Sequence, residues 1–298
     1  MADFFLHLRD TKKLTVATLK GYRSALAAVL RPSGVDLSTS LEISSLFKAL
    51  SREVPQTRSS TPKWDLALVL DHLNSAIYEP LETVSLQALT RKTVFLLALA
   101  SAKRVSEIHG LMASVSHPED WSSISLSFAP DFLAKTELPG SDMHGRSLTI
   151  PALSQLATEP DDLRLCPVRA LRVYLERTAS SRPADSRLFV PLRVVRPSVS
   201  RNTISLWIKT TIRLAYAAAG QDQFQLHRRA AHKVRALATS WAFSHCLSVR
   251  EVMAAASWRA HSTFSSFYLR DVSLIRDGML HLGPVVAAQR LVQPPTSA

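Results

Sequence analysis

Two pairs of residues with helical spacing carry groups that could bind an anion. Arg104 and Glu107 stand three apart in "SAKRVSEIHGL", and His232 and Arg235 stand three apart in "AHKVRALATSWAF". Residues three apart on a helix share one face, with about 5–6 Å between their Cβ atoms. The second segment otherwise has the composition of a buried helix, where a cationic side chain needs a partner of opposite charge. We therefore expect His232 and Arg235 to face an anion.

Three further side chains could take part in chemistry, but only together with the residues named above. Lys135 follows a predicted hairpin, and Trp258 and Tyr268 lie in "SWRAHSTFSSFYLRDV". Considered alone, each signal has an ordinary structural interpretation. Lys135 would be an exposed lysine, and Trp258 and Tyr268 would be core aromatics. Arg104 with Glu107 would be a surface ion pair, and "AHKVR" a solvated basic face. Their order along the chain changes this interpretation: Arg, Lys, His-x-x-Arg, Trp, Tyr.

That order, from Arg104 to Tyr268, resembles the tyrosine recombinase family of the phage-integrase type. "AKRVSEIHGL" is similar to the family's first arginine box, and "AHKVRALATSWAF" to its His-x-x-Arg box. Trp258 stands where the family has His or Trp, and Tyr268 stands in the place of the nucleophile. The sequences of "CPVRALRVYLERT" and "TFSSFYLRDV" are most similar to those of the recombinases of DIRS-like retrotransposons.

The resemblance implies a role for each residue. The anion is a DNA phosphodiester, which Tyr268 attacks to leave a 3′-phosphotyrosine. Arg104, Arg235, His232 and Trp258 donate to the phosphate oxygens, and Lys135 protonates the leaving 5′ oxygen. Glu107 holds Arg104 or its neighbours in place. The scheme uses no metal and no other cofactor, and the sequence has no spaced set of carboxylates in a context typical of two-metal chemistry.

The chain departs from the family in two ways. Trp258 and Tyr268 are ten positions apart, one more than the usual gap. One extra residue would turn a rigid helix by about 100°, so Tyr268 is expected on a loop or after an adjusted turn. The N-terminal part is short, and we expect it to be a truncated version that lacks its first helix.

Composition narrows the class of protein. The 298 residues carry a net charge of +12 and are 46% hydrophobic, which predicts a folded protein with a polyanionic partner. The apolar run "TVFLLALASA" is too short to span a bilayer, and the N-terminus is not that of a signal peptide. Cys166 and Cys246 are too far apart in the sequence for a metal-binding or redox motif. We therefore expect them to be reduced thiols in an intracellular protein. The expected location is the nucleus in a eukaryotic host, or the cytoplasm and nucleoid in a bacterium.

The elements that must position these residues divide into two domains. Residues 1–54 predict a helical, SAM-like core-binding domain, in which "TVATLKGYRSAL" resembles the family and either Thr11 or Thr15 caps a helix. Residues 55–63 predict a linker, 64–290 the catalytic domain and 291–298 a loose tail. The expected DNA contacts are Lys20, Arg23, Arg228, Arg229 and Lys233.

Within the catalytic domain the helical period dominates. A central buried helix is predicted over 85–111, and further helices over "CPVRALRVYLERT" and from Ser200 to Gly220. "SSISLSF" and "RSLTIPAL" predict strands, with "FLAK" returning from the first as a hairpin. The predicted fold class is mainly α with a small antiparallel β-sheet. The resemblance adds the tyrosine-recombinase catalytic fold, a two-domain clamp on double-stranded DNA, and a homotetramer on two duplexes.

The function predicted in this way is a site-specific recombinase or integrase of a mobile element. Three alternatives remain: a catalytically silent DNA-binding protein derived from such an enzyme, a relaxing enzyme similar to type IB topoisomerases, and a basic membrane-binding protein. The complete set of six catalytic residues argues against the first, and the lack of long extra domains against the second. No helix concentrates Lys and Arg on one face, which argues against the third.

Overall fold

The computed structural model describes two compact units, Met1–Ser59 and Ser60–Ala298. The described residues are 1–37, 39–53, 64–133, 147–155, 160–183, 185–192, 196, 198–221, 231 and 234–238, with the backbone of 275–276 and 279–280. The predicted linker 55–63 and the tail 291–298 lie outside them. None of the helices in this described part has both the length and the apolar character that crossing a bilayer requires.

The described part of the first unit contains the α-helices α1 (Ala2–Lys12), α2 (Val16–Leu30) and α3 (Leu41–Glu53). Thr15 is the residue that caps α2, since its hydroxyl accepts the backbone N–H of Thr18 at 3.2 Å. The apolar pattern does not predict α1. That helix is held by tertiary contact, because the buried ring of Phe5 meets Phe47 of α3 edge-on at 5.1 Å.

The second unit is built around α5 (Leu86–Ser101), which is buried on most of its faces. The described part of this unit also contains α4 (Leu66–Asn74), α6 (Val105–Gly110), α7 (Pro160–Arg164), α8 (Pro167–Thr178) and α9 (Arg201–Ala218). Both α8 and α9 pack against α5. The predicted central helix, the proline start of α8, the Ser200 cap and the end at Gly220, whose φ is 71°, are confirmed.

The central helix is shorter than predicted. It ends at Ser101, because Ala102 adopts a left-handed conformation with φ 49° and the chain restarts as α6. The prediction of one helix over 85–111 is therefore wrong at its C-terminal end. The break gives Arg104 an extended backbone at the N-cap position, immediately before a new short helix.

A three-stranded antiparallel sheet flanks the helices in the order β1 (Leu111–Ser116), β2 (Ser123–Phe128) and β3 (Ser147–Pro151). Ile124 of β2 faces Ile150 of β3 in the ladder, and both are buried. The predictions of β2 and β3 are confirmed. The return strand over "FLAK" is wrong for Phe132 and Leu133, which lie outside any strand. The strand β1 was not predicted, and the mainly α class with a small antiparallel sheet is confirmed.

A buried charge network ties α5 to its neighbours in the second unit. Lys92 is fully buried and donates to Glu79 Oε1 at 2.5 Å and to the carbonyl of Leu73 at 2.8 Å. Arg169 of α8 donates to both oxygens of Glu79 at 2.9 and 2.8 Å. Burial lowers the pKa of Lys92 to about 8 against the opposing pull of Glu79. Burial alone would raise the pKa of Glu79, but the hydrogen bonds from Arg169 and Lys92 lower it overall.

Glu79→Gln is expected to lower the free energy of unfolding by about 3–5 kcal/mol, because Lys92 and Arg169 lose their common counter-charge. The loss should depend on pH. In the unfolded chain Lys92 keeps its proton to about pH 10. In the folded variant its pKa falls below that of the parent, so the deficit should narrow as pH rises from about 6 to about 8. Denaturant unfolding at both pH values measures this.

The control is Glu176→Gln, which removes an exposed carboxylate 2.9 Å from Arg172 within α8. Its effect should stay within about 0.5 kcal/mol at either pH. A Glu79→Gln deficit that is equally small, or that grows toward pH 8, would show that the network does not hold Lys92 as a buried cation.

Candidate functional site

The site begins at the first turn of α6. Arg104 precedes this helix with φ −69° and ψ 153°, and the Glu107 carboxylate turns back to accept the backbone N–H of Arg104 at 2.7 Å. A glutamate three positions after the helix start commonly satisfies a free backbone donor in this way. The same contact fixes the position of the carboxylate, which is only 3% exposed.

A second arginine reaches this carboxylate from a distant part of the chain. Residues 234–238 are helical, and Val234 and Leu237 belong to the apolar core of the second unit. Arg235, which is 2% exposed, donates from Nη1 to Glu107 Oε2 at 3.0 Å across a separation of 128 residues. The predicted burial of this segment is confirmed, and Glu107 is one anion that Arg235 faces.

The charges of the three groups do not balance. Nη1 of Arg104 lies 3.7 Å from Glu107 Oε2, so two guanidinium groups share one carboxylate. That nitrogen is buried and makes no hydrogen bond to the described residues, although the Arg104 side chain is 14% exposed. A buried donor without an acceptor is costly. An anion that entered beside Arg104 would provide the acceptor that this nitrogen lacks among the described residues.

Further positive charge lies beside α6. Burial lowers the pKa of His109, and the nearby charges of Arg187 and Arg201 lower it further. Neither arginine was singled out in the sequence. Arg187 lies in "ADSRLF", which has no motif around it, so only its position in the fold brings it to α6.

The remaining predicted residues are placed only in part. Lys20 and Arg23 lie three apart on α2 of the first unit, both half-buried, and the Arg23 guanidinium stands 5.0 Å from the centre of the Phe47 ring. The other predicted catalytic and DNA-binding residues lie outside the described part of the chain: Lys135, His232, Trp258, Tyr268, Arg228, Arg229 and Lys233. The structure thus brings Arg104, Glu107 and Arg235 together.

Glu107→Gln is expected to destabilise the protein by about 3 kcal/mol, since two guanidinium groups then lose their shared negative charge while the shape is kept. Urea unfolding of variant and parent at one pH measures the loss. Glu53→Gln is the control, because that carboxylate is 59% exposed in its contact with Arg9 and its loss should leave the midpoint unchanged. Equal midpoints for the two variants would contradict a charge-bearing role for Glu107.

Comparison with known proteins adds little to this geometry. No family model matches the chain, and no curated protein matches it. Among solved structures, the crystal structure of XerA recombinase is similar, at 16% identity and a TM-score of 0.46, over 90% of this chain and 84% of that one.

Proposed function

We propose that this protein is a site-specific DNA recombinase or integrase that cuts and rejoins DNA through a 3′-phosphotyrosine intermediate. The observation that supports the proposal most directly is the meeting of Arg104, Glu107 and Arg235 at one buried point. The two boxes that resemble the recombinase family therefore converge in space, although 128 residues separate Glu107 from Arg235. The net charge of +12 suits a nucleic-acid substrate.

In the proposed reaction the oxygen of Tyr268 forms a bond to the scissile phosphorus, and the bond from phosphorus to the 5′ oxygen breaks. The phenolic proton passes to water, and Lys135 donates a proton to the leaving 5′ oxygen. Rejoining reverses these steps, with a 5′-hydroxyl attacking the phosphotyrosine. The bond energy stays in the protein–DNA linkage, so the exchange needs no nucleotide.

The arginines act on the charge that develops on the non-bridging oxygens of the phosphate. Arg104 and Arg235 carry planar, permanently charged donors, and Glu107 would fix their orientation. His232 and Trp258 would donate to the same oxygens. Removing one donor from such a site typically raises the barrier by about 3–4 kcal/mol. The positive charges of these residues would favour the charged form of the Tyr268 phenol during the attack.

The larger assembly follows from the family resemblance. The two units would close on duplex DNA as a clamp, with Lys20 and Arg23 on one side and Arg228, Arg229 and Lys233 on the other. Four copies would act on two duplexes and recombine the ends of a mobile element. The recombinases of DIRS-like retrotransposons are the class with the most similar sequence.

The proposal is tested with nicked suicide DNA. Cleavage releases a short fragment that carries the new 5′-hydroxyl, and the loss of this fragment prevents rejoining. The parent protein is expected to give a denaturation-resistant adduct joined to the 3′ end that the cut creates, in EDTA and without nucleotide. The substrate is a pool of duplexes drawn from the ends of the element that encodes the chain. A folded protein that binds these duplexes and forms no adduct is instead a silent DNA-binding protein.

A further inference from the structure

The chain that leads into α9 and forms it carries positive charge alone. Residues 188–221 contain no Asp or Glu. An excess of one sign of charge on a protein surface attracts partners of the opposite charge. The fold decides which of these cations can do so, because a side chain must be exposed and close to the candidate site. The basic residues of this stretch are Arg193, Arg196, Arg201, Lys209 and Arg213.

Backbone hydrogen bonds hold the start of this stretch against β1, which directly follows α6. The N–H of Leu188 donates to the carbonyl of Leu111, the first residue of β1, at 2.7 Å. The N–H of Val199 then donates to the carbonyl of Phe189 at 3.2 Å. Arg201 follows Val199 by two residues and begins α9, which packs against α6. Arg201 therefore stands close to α6.

Arg187, just before this stretch, adds a cation that already has a partner. Its Nη1 donates to the carbonyl of Gly110 at 3.1 Å, and its Nη2 contacts both carboxylate oxygens of Asp131 at 2.6 and 2.8 Å. The Arg187 side chain is 16% exposed and the Asp131 side chain 77%. Arg187 thus ties the segment to the end of α6, and Asp131 offsets its charge. The cations that remain for a partner lie farther along the stretch.

Arg196 and Arg201 are exposed, and neither forms an ion pair with another described residue. Arg196 lines a cavity together with Ser200 and Thr203, so both arginines lie at the start of α9. The first turn of this helix has no acidic residue, and a cation there opposes the helix dipole. Arg201 is therefore unfavourable for the helix itself, and an anionic partner would compensate.

The distance from these arginines to Arg104 suits one strand of a duplex. Arg104 precedes α6, which has six residues and is therefore about 9 Å long. A DNA strand carries one phosphate for about every 3.4 Å of the helix axis. If a strand placed one phosphate at Arg104, its neighbouring phosphates would pass the other end of α6, where Arg187 contacts Gly110.

We infer that Arg196 and Arg201 bind the DNA backbone beside the scissile phosphate, as a second phosphate-binding surface at the start of α9. This inference rests on the proposed function, which supplies the DNA. Contacts to phosphate fix the position of a protein on the duplex and carry no sequence information. The surface would therefore hold any duplex in register with Arg104, and the choice of target would lie elsewhere.

The test measures the affinity of the full chain for a duplex of arbitrary sequence at several salt concentrations. Each phosphate contact that is lost lowers the slope of log K against log salt by about 0.9. Arg196→Gln and Arg201→Gln should each lower the slope by this amount, and the double variant by about 1.8. Because both side chains are exposed, the urea midpoints should stay parental or, for Arg201→Gln, rise slightly.

Arg213→Gln is the matched control. Arg213 is an exposed arginine of the same helix, twelve residues from Arg201 and near the opposite end. Its loss changes the net charge by the same amount, so its slope should remain parental if the effect is local. Equal slopes for Arg201→Gln and Arg213→Gln, whether lowered or parental, would overturn the inference.

Two further measurements separate this inference from other functions. If the parent forms no adduct on suicide DNA and the slopes still fall as expected, the proposed cleavage is wrong and the surface stands. A parent that binds no duplex at all would overturn both. Vesicles that contain phosphatidylserine present the same phosphate charge on a membrane. Loss of vesicle binding in Arg201→Gln at an unchanged DNA slope would assign the surface to lipid and overturn the inference.

Discussion

A Tyr268→Phe protein is expected to bind duplex DNA as the parent does and to form no covalent adduct. The change removes only the hydroxyl, so the free energy of unfolding should fall by no more than about 1 kcal/mol. Affinity should stay within about twofold, because Arg104, Arg235 and the basic surface remain. Adduct formation on suicide DNA, read on a denaturing gel, should drop from readily detected to none.

The other four tyrosines provide the contrast. Three of them are structural, since Tyr78 and Tyr174 are buried in the core and the hydroxyl of Tyr216 accepts the backbone N–H of Asp65 at 2.7 Å. Tyr22 is 46% exposed on α2, and Tyr22→Phe is the matched control that should form the adduct at the parental rate. If Tyr268→Phe still forms the adduct, Tyr268 is not the nucleophile.

Lys135→Ala is expected to slow cleavage of ordinary DNA by about 10²- to 10⁴-fold, the usual contribution of a positioned acid. With sulfur in the 5′ bridging position, the same variant should cleave nearly as fast as the parent. The measurement is the single-turnover rate of adduct formation on each substrate. A Lys135→Ala protein that stays slow on the sulfur substrate would show that the lysine binds the phosphate and does not donate the proton.

The sequence predicted the helices of the second unit well where residues signal their own ends. Ser200 and Gly220 bound α9, and a proline opens α8. It failed at Ala102, because an alanine in the left-handed region gives no local signal, and the apolar run continues through the break. The strand β1 was missed for a related reason: it follows α6 at once, and its partner β2 and Arg187 define it only in three dimensions.

The sequence likewise predicts some features of the candidate site and not others. The spacing of Arg104 and Glu107 predicts that they interact, and the composition around Arg235 predicts its burial. Neither pattern predicts that Glu107 bonds to Arg235, since that contact depends on how the helix at 234–238 packs against α6. Asp131 and Arg187 carry no sequence signal at all, because a single acid and a single arginine 56 residues apart form a pair only when the fold is complete.

The shared carboxylate of Glu107 also sets a limit on how this protein can be made more stable. Buried ion pairs can often be replaced by apolar side chains of similar volume with no loss, or with a gain of about 1–4 kcal/mol. A screen that measured only thermostability, and not DNA binding, could therefore accept apolar side chains at positions 104, 107 and 235. Such a screen would select against the positive charge beside the carboxylate, so thermal tolerance and the proposed binding of phosphate would compete for the same three positions.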